Sequence, residues 1–249
     1  MPVALDSKHT EHRPWPLPQR PWAIKMRWHD LLFLHWPVDA ALLRPHIPEG
    51  LTLDTFDGTA WLGVVPFRMS GIRPRLTPAL PVLSAFPELN IRTYVTAGDK
   101  AGVWFFSLDV TSRLAVLIAR SAFHLPYYRA RMDMQQEGGQ IRYSSKRIDG
   151  ETTAEFEATY QGRGRVFHSE PGSIDAWLTE RYCLYSADRK GRVFRGEIHH
   201  APWSLQHADF EVTKNTLADG LGIQTDSAKP LVHFSRDLEV VAWTLRSID

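Results

Sequence analysis

Glu88, Asn90 and Arg92 occupy alternate positions of the apolar run Phe86-Pro87-Glu88-Leu89-Asn90-Ile91-Arg92. Alternation puts all three on one face of a strand. Three polar side chains in a row do not line a dry core, so this face looks onto solvent, a wet interior or a subunit interface. A buried carboxylate needs a partner, and two arginines are candidates. Arg92 shares the strand face. Arg120 lies in Ala119-Arg120-Ser121-Ala122-Phe123-His124-Leu125-Pro126-Tyr127-Tyr128, on a helix that continues the strand expected beside that of Glu88. Glu88 is then either an ordinary ion-pair member or the general base of a cavity, held ionised by Arg120 or raised in pKa by burial. Tyr127 and Tyr128 point to opposite faces. One packs in the core, and the other brings a phenol that donates to a carbonyl.

The run His199-His200-Ala201-Pro202-Trp203-Ser204-Leu205-Gln206-His207 is the other dense patch. Adjacent histidines diverge, so at most one of His199 and His200 joins His207, with His29 or His35 as a third ligand. No His-x-His, His-Glu-x-x-His or Cys-x-x-Cys spacing occurs, so no metal is expected. The patch reads as a bend in which Trp203 fills the core. Cys183, between Tyr182 and Leu184, reads as a small buried hydrophobe. No Gly-x-Ser-x-Gly nucleophile motif is present. Gly162-Arg163-Gly164-Arg165 lacks the frame of a phosphate loop and reads as a hairpin tip.

The elements that must position these groups are short strands. Met26 to Trp36 reads as a strand buried on both faces, and Asp39 opens a helix over Ala40 to Leu43. Leu51 to Asp54 and Thr59 to Arg68 read as a hairpin around Asp57-Gly58. Ser70 to Phe86 reads as a long loop. Leu89 to Thr96 and Val103 to Thr111 follow as strands. Ser112 caps a helix from Arg113 to Phe123 that Pro126 ends. Strands at 127–136, 140–148 and 152–161 make a meander, Ser173 opens a second cap, and further strands run to Leu245. About a dozen strands without regular intervening helices argue against a parallel α/β sheet.

Composition narrows the class. With 249 residues, 43% hydrophobic and a net charge of +1, the chain has room for a large core and lacks the basic field of a nucleic-acid binder. One cysteine excludes an intrachain disulfide. No apolar run is long enough for a bilayer span, and Met1 to Arg13 lacks a signal peptide's apolar region, so a cytoplasmic location without membrane partners is expected. Residues 1–24 form a Pro- and Trp-rich arm whose tryptophans anchor it on the body or on a neighbouring subunit, which offers a route to a homo-oligomer. Residues 25–249 are expected to make a single β domain.

The order of these motifs resembles a bacterial family, domain-of-unknown-function family 2071, also called YqjF-like. The carrying segments are Trp28-His29-Asp30-Leu31-Leu32-Phe33-Leu34-His35-Trp36, Pro45-His46-Ile47-Pro48, Phe86 to Val95, Gly102 to Asp109, Leu125-Pro126-Tyr127-Tyr128, Glu180-Arg181-Tyr182 and His200 to Gln206. A more distant resemblance joins the chain to the acetoacetate decarboxylase superfamily, in which an aromatic-x-Glu segment precedes an Arg segment and a Pro-Lys-Lys. It implies a mainly β fold, an antiparallel barrel or cone with a few short helices and a closed cavity. Glu88 matches that family's active-site glutamate and Arg120 its arginine. Tyr127, 39 residues after Glu88, takes the place of the Schiff-base lysine, and Tyr128 that of its neighbour. Without the amine there is no iminium electron sink. The expectation is a cofactor-free protein that binds a small carbonyl- or carboxylate-bearing molecule. Glu88, Arg120 and Tyr127 form its centre, and Asn90, Arg92, Trp104, Phe106, His200 and Trp203 its lining. Two other readings stand beside it: a lyase, hydratase or isomerase with Glu88 as base and Tyr127 as acid, and a structural protein closed by oligomerisation.

Overall fold

The computed structural model describes residues 10–79, 85–150, 153–225 and 228–248. The continuous apolar run Leu31 to Leu34 becomes the middle of β1 (Ile24–Val38) and is buried on both faces. Leu32 and Leu34 pack into one core cluster, Leu31 and Phe33 into another. A strand without a solvent face must be a wall between two cores, and its neighbours share that pattern. They are β3 (Ala60–Pro74) on one side, followed by β4 (Phe86–Ala97) and β5 (Lys100–Val110), and β12 (Leu231–Ala242) on the other. Among the described residues the one remaining strand before β4 is the short β2 (Thr52–Leu53).

Two circuits of strand pairing use this wall. The larger leaves β5 through a parallel contact with β6 (Tyr127–Glu137). It continues through β7 (Gln140–Arg147), β8 (Glu155–Phe167) and β11 (Leu205–Asn215) and returns to β12. The smaller leaves β5 through a second parallel contact with β9 (Cys183–Ala187) and returns through β10 (Val193–His199) to β12, with β13 (Arg246–Ser247) on the outer edge of β10. The fold is mainly β, as expected, with three short α-helices among the described residues. These are α1 (Ala40–Leu43), α2 (Arg113–Ala122) and α3 (Ile174–Thr179). The Asp39, Ser112 and Ser173 side chains accept the N-terminal N–H bonds of the three helices.

Several local expectations change. The Asp57-Gly58 turn forms, with Phe56 bridged to Thr59, but β2 pairs with β4 rather than with β3. Part of the long loop, Ser70 to Pro74, extends β3, and its residues 80–84 lie outside the described ones. Gly162-Arg163-Gly164-Arg165 is no hairpin tip. It belongs to β8, where Gly162 and Arg163 pair with Ala208 and His207 of β11. Leu231 to Ala242 forms one continuous strand.

Candidate functional site

The face of the wall that carries Glu88 is set by register. Glu88 lies opposite Phe67 on β3 and Val110 on β5, and Asn90 lies opposite Val65 and Leu108. Opposed residues share a face, so Glu88 and Asn90 look into the apolar layer that holds Val65, Phe67, Leu108 and Val110. β6 enters beside β5 with Tyr127 opposite Leu108, which turns Tyr127 to the same face. Its hydroxyl donates to Glu88 Oε2 at 2.8 Å. From the other side Tyr143 donates to the Glu88 carbonyl at 2.8 Å. Glu88 is only 2% exposed.

Burial dominates the electrostatics. It pushes the Glu88 carboxyl up to about 8, the nearby Asp109 adds to the rise, and hydrogen bonds from Tyr127 and Asn90 only partly offset it. Glu88 is therefore mainly a neutral acid at pH 7, able to donate as well as accept. Burial and the neighbouring Glu88 hold the Tyr127 phenol well above its ordinary range, so it stays protonated. Asn90 Oδ1 is buried without a partner. Further along the strand, the half-buried Arg92 spreads its guanidinium over Phe33, 5.4 Å from the ring centroid, and Tyr94, 5.8 Å away. Its Nε is buried and unpartnered.

The arginine-held carboxylate is corrected. Among the described residues Glu88 forms no ion pair with Arg92 or Arg120. Arg92 starts four residues along, about 13 Å away at strand rise. Arg120 sits exposed near the end of α2, where its Nε donates to the Tyr127 carbonyl at 2.6 Å and its guanidinium lies 5.2 Å from the Tyr128 ring. It lines an open groove of about 520 Å³ with Ser121, His124, Asp188 and Lys190.

Trp104 and Phe106 also lie away from Glu88. A bulge in β5 skips Phe106, pairing Ile91 with Ser107 and Arg92 with Phe105. Trp104 and Phe106 face a second open groove, of about 290 Å³, with His46 and Leu221. His200 is buried, its Nδ1 2.8 Å from the Ala201 carbonyl and its ring stacked on Tyr182 at 4.6 Å, so it holds the bend. Trp203 donates to the Thr179 carbonyl at 2.8 Å and meets Phe33 edge-on at 5.0 Å, beneath the ring that Arg92 covers. His199 lies 3.4 Å from Arg13 and is driven down to about 4 by burial and by that charge. Among the described residues no three His, Cys, Asp or Glu side chains gather as a metal site would need.

Sequence reasoning missed two buried polar groups. On the other face of the wall, Arg147 Nε donates to Asp109 Oδ1 at 2.9 Å and its Nη2 to Ser107 Oγ at 2.6 Å. Asp109 in an otherwise apolar strand was the available signal. On the Glu88 face, Tyr94 donates to the Leu178 carbonyl at 2.8 Å, so the 2.7 Å contact with His35 requires His35 Nε2–H to donate. Burial keeps His35 neutral.

The model of the DUF2071 family, described as an uncharacterized conserved protein, matches residues 25–239. The chain belongs to the DUF2071 family. It is 45% identical over 230 residues to the uncharacterized protein YqjF of Bacillus subtilis (strain 168), covering 92% of this chain and 94% of that one. Solved structures resemble the fold at much lower identity. The enduracididine biosynthesis enzyme MppR complexed with pyruvate aligns with a TM-score of 0.64 at 11% identity, over 95% of this chain and 93% of its own. Acetoacetate decarboxylase from Legionella pneumophila aligns at 0.63 and 12%, over 99% and 97%. An acetoacetate decarboxylase-like enzyme from Sphingomonas wittichii RW1 aligns at 0.63 and 12%, over 96% and 98%. This DUF2071 chain therefore has the acetoacetate decarboxylase-like fold, with a tyrosine hydrogen-bonded to its buried glutamic acid.

Proposed function

We propose that the protein binds a small carbonyl-bearing molecule, with or without a carboxylate, against the Glu88–Tyr127 pair and without Schiff-base chemistry. The observation that carries this reading is the 2.8 Å bond between the two buried groups. With the Tyr127 O–H given to Glu88 Oε2, the neutral carboxyl keeps its own O–H to donate, which suits a ligand carbonyl. One fold neighbour was solved with pyruvate bound, which makes pyruvate a reasonable first probe.

The Glu88 pKa of about 8 supports a second reading, general acid–base catalysis of a lyase, hydratase or isomerase reaction near neutral pH. Tyr127 fits it less well as an acid, because its own pKa lies so high.

Thermal shift with pyruvate and acetoacetate tests binding, and mass spectrometry after borohydride tests the chemistry. The expected result is a raised melting temperature without a reduced adduct. No shift with either compound counts against binding, and a trapped lysine adduct against the non-covalent reading. Turnover of the bound compound, lost in Glu88→Gln, selects the catalytic reading.

A further inference from the structure

Resting on that reading, we propose that Arg92, and not Arg120, selects the ligand's charge by holding its carboxylate. Arg92 shares a strand face with Glu88 and Asn90. It has no acid partner among the described residues. Around it stand a neutral His35, the Phe33 ring and the Tyr94 ring, and its Nε is buried without an acceptor. Two buried guanidiniums beside the wall have acids of their own: Arg147 with Asp109, and Arg181 with Asp54 at 2.7 Å. Arg120 is satisfied by a backbone carbonyl and faces an open groove.

A half-buried guanidinium resting on aromatic faces, with a free N–H, is a preorganised carboxylate receptor. Burying it without an anion is costly, and the flat rings hold it in place for one. Asn90 lies between Arg92 and Glu88 on the same face, with its Oδ1 open. The arrangement has polarity along the strand: an anion receptor at Arg92, an acceptor at Asn90, and a neutral carboxyl donor at Glu88, held by the Tyr127 O–H. A small acid with its carboxylate at Arg92 and its carbonyl toward Glu88 complements the first and the last of these. Glu88 and Arg92 start about 13 Å apart. That distance favours an oxo acid of several carbons over the shortest one.

The test is calorimetric titration of the full chain with acetoacetate, a five-carbon oxo acid (levulinate) and the methyl ester of each, in the wild type, Arg92→Gln, Arg92→Lys, Arg120→Gln and Glu88→Gln. The wild type is expected to prefer acid to ester by tenfold or more, with levulinate above acetoacetate. Arg92→Gln should bind the esters as before and lose the preference, and Arg92→Lys should keep part of it. Arg120→Gln should match the wild type. A preference that survives Arg92→Gln, or disappears in Arg120→Gln, overturns the assignment. Ester binding that Glu88→Gln weakens, with no acid preference in any variant, also overturns it while leaving the carbonyl site standing. Failure of the wild type to bind acid or ester overturns both readings. Should Arg92→Gln fail to fold, Arg92→Lys against Arg120→Gln decides by the same comparison.

Discussion

Glu88 is a carboxyl held by a phenol in an apolar layer, and its protonation follows from that. An acid whose folded pKa is raised binds more protons folded than unfolded between the two pKa values, so stability falls as pH rises through that window. For Glu88 the window runs from its ordinary value of 4.5 to about 8. Between pH 6 and 9 the loss amounts to about 3 kcal/mol. Glutamine keeps the acceptor for Tyr127 and does not titrate. Urea unfolding should therefore show the wild type weakening over this range and Glu88→Gln staying nearly level, with the variant the more stable at pH 9. Parallel curves would mean that Glu88 is ionised in the folded protein. Asp109, on the other face, makes a contrasting case. It is raised only to about 6 because Arg147 opposes its desolvation. Asp109→Asn leaves the buried Arg147 uncompensated and should cost about 3–5 kcal/mol in the same assay. A loss under 1 kcal/mol would show that Tyr128, 4.2 Å below the guanidinium, suffices for it.

At the scale of elements, the site depends on how β5 meets its neighbours. β5 pairs with β4 along one edge and divides the other between β6, which brings Tyr127, and β9. Gly102 permits the second contact: a Cβ there would lie 2.7 Å from Cys183 Sγ and 2.8 Å from the Cys183 carbonyl. Gly102→Ala must push β9 outward, and a destabilisation of about 1–3 kcal/mol is expected by thermal or urea unfolding. An unchanged midpoint would show that β9 moves freely. α2 is the opposite case, a locally encoded element. The Ser112 hydroxyl accepts from the Ala115 N–H at 3.2 Å, as its place before the helix predicts. Ser112→Ala should cost about 1 kcal/mol and leave the Glu88–Tyr127 pair intact. Loss of ligand binding in that variant would tie the helix to the site after all.

At the scale of the whole molecule, the two circuits give the wall a core on each face. That is why the carboxyls of Glu88 and Asp109 inside it are each hydrogen-bonded rather than left alone. The N-terminal arm adds to the closure. Trp15 is buried and donates to Glu197 at 3.0 Å, Arg13 donates to the Ile198 carbonyl at 2.7 Å, and Trp22 lies under the Arg75 guanidinium at 5.2 Å. The tryptophans are thus used on this chain's own body. Among the described residues no helix is long and apolar enough to cross a membrane.

The sequence by itself determined what depends on near neighbours. Alternation put Glu88, Asn90 and Arg92 on one face. Small polar residues before apolar runs marked the helix caps. The order of motifs announced the family, and the Tyr127-Tyr128 pair marked the missing amine. Tertiary structure decided which groups meet. Arg120 and Tyr127 are seven residues apart and were expected to converge on Glu88. The pairing of β6 with β5 delivers only Tyr127, and α2 leaves Arg120 outside. Likewise β8 runs through its two glycines because β11 lies alongside: at Gly162 a Cβ would come within 2.5 Å of Phe234, a residue 72 positions away. Local preference is weak where a glycine permits several conformations, so the long-range packing of the ring chose. The charge of Glu88 was settled in the same way. A carboxyl's type is local, but its pKa is set by the apolar layer that strands from four parts of the chain close around it.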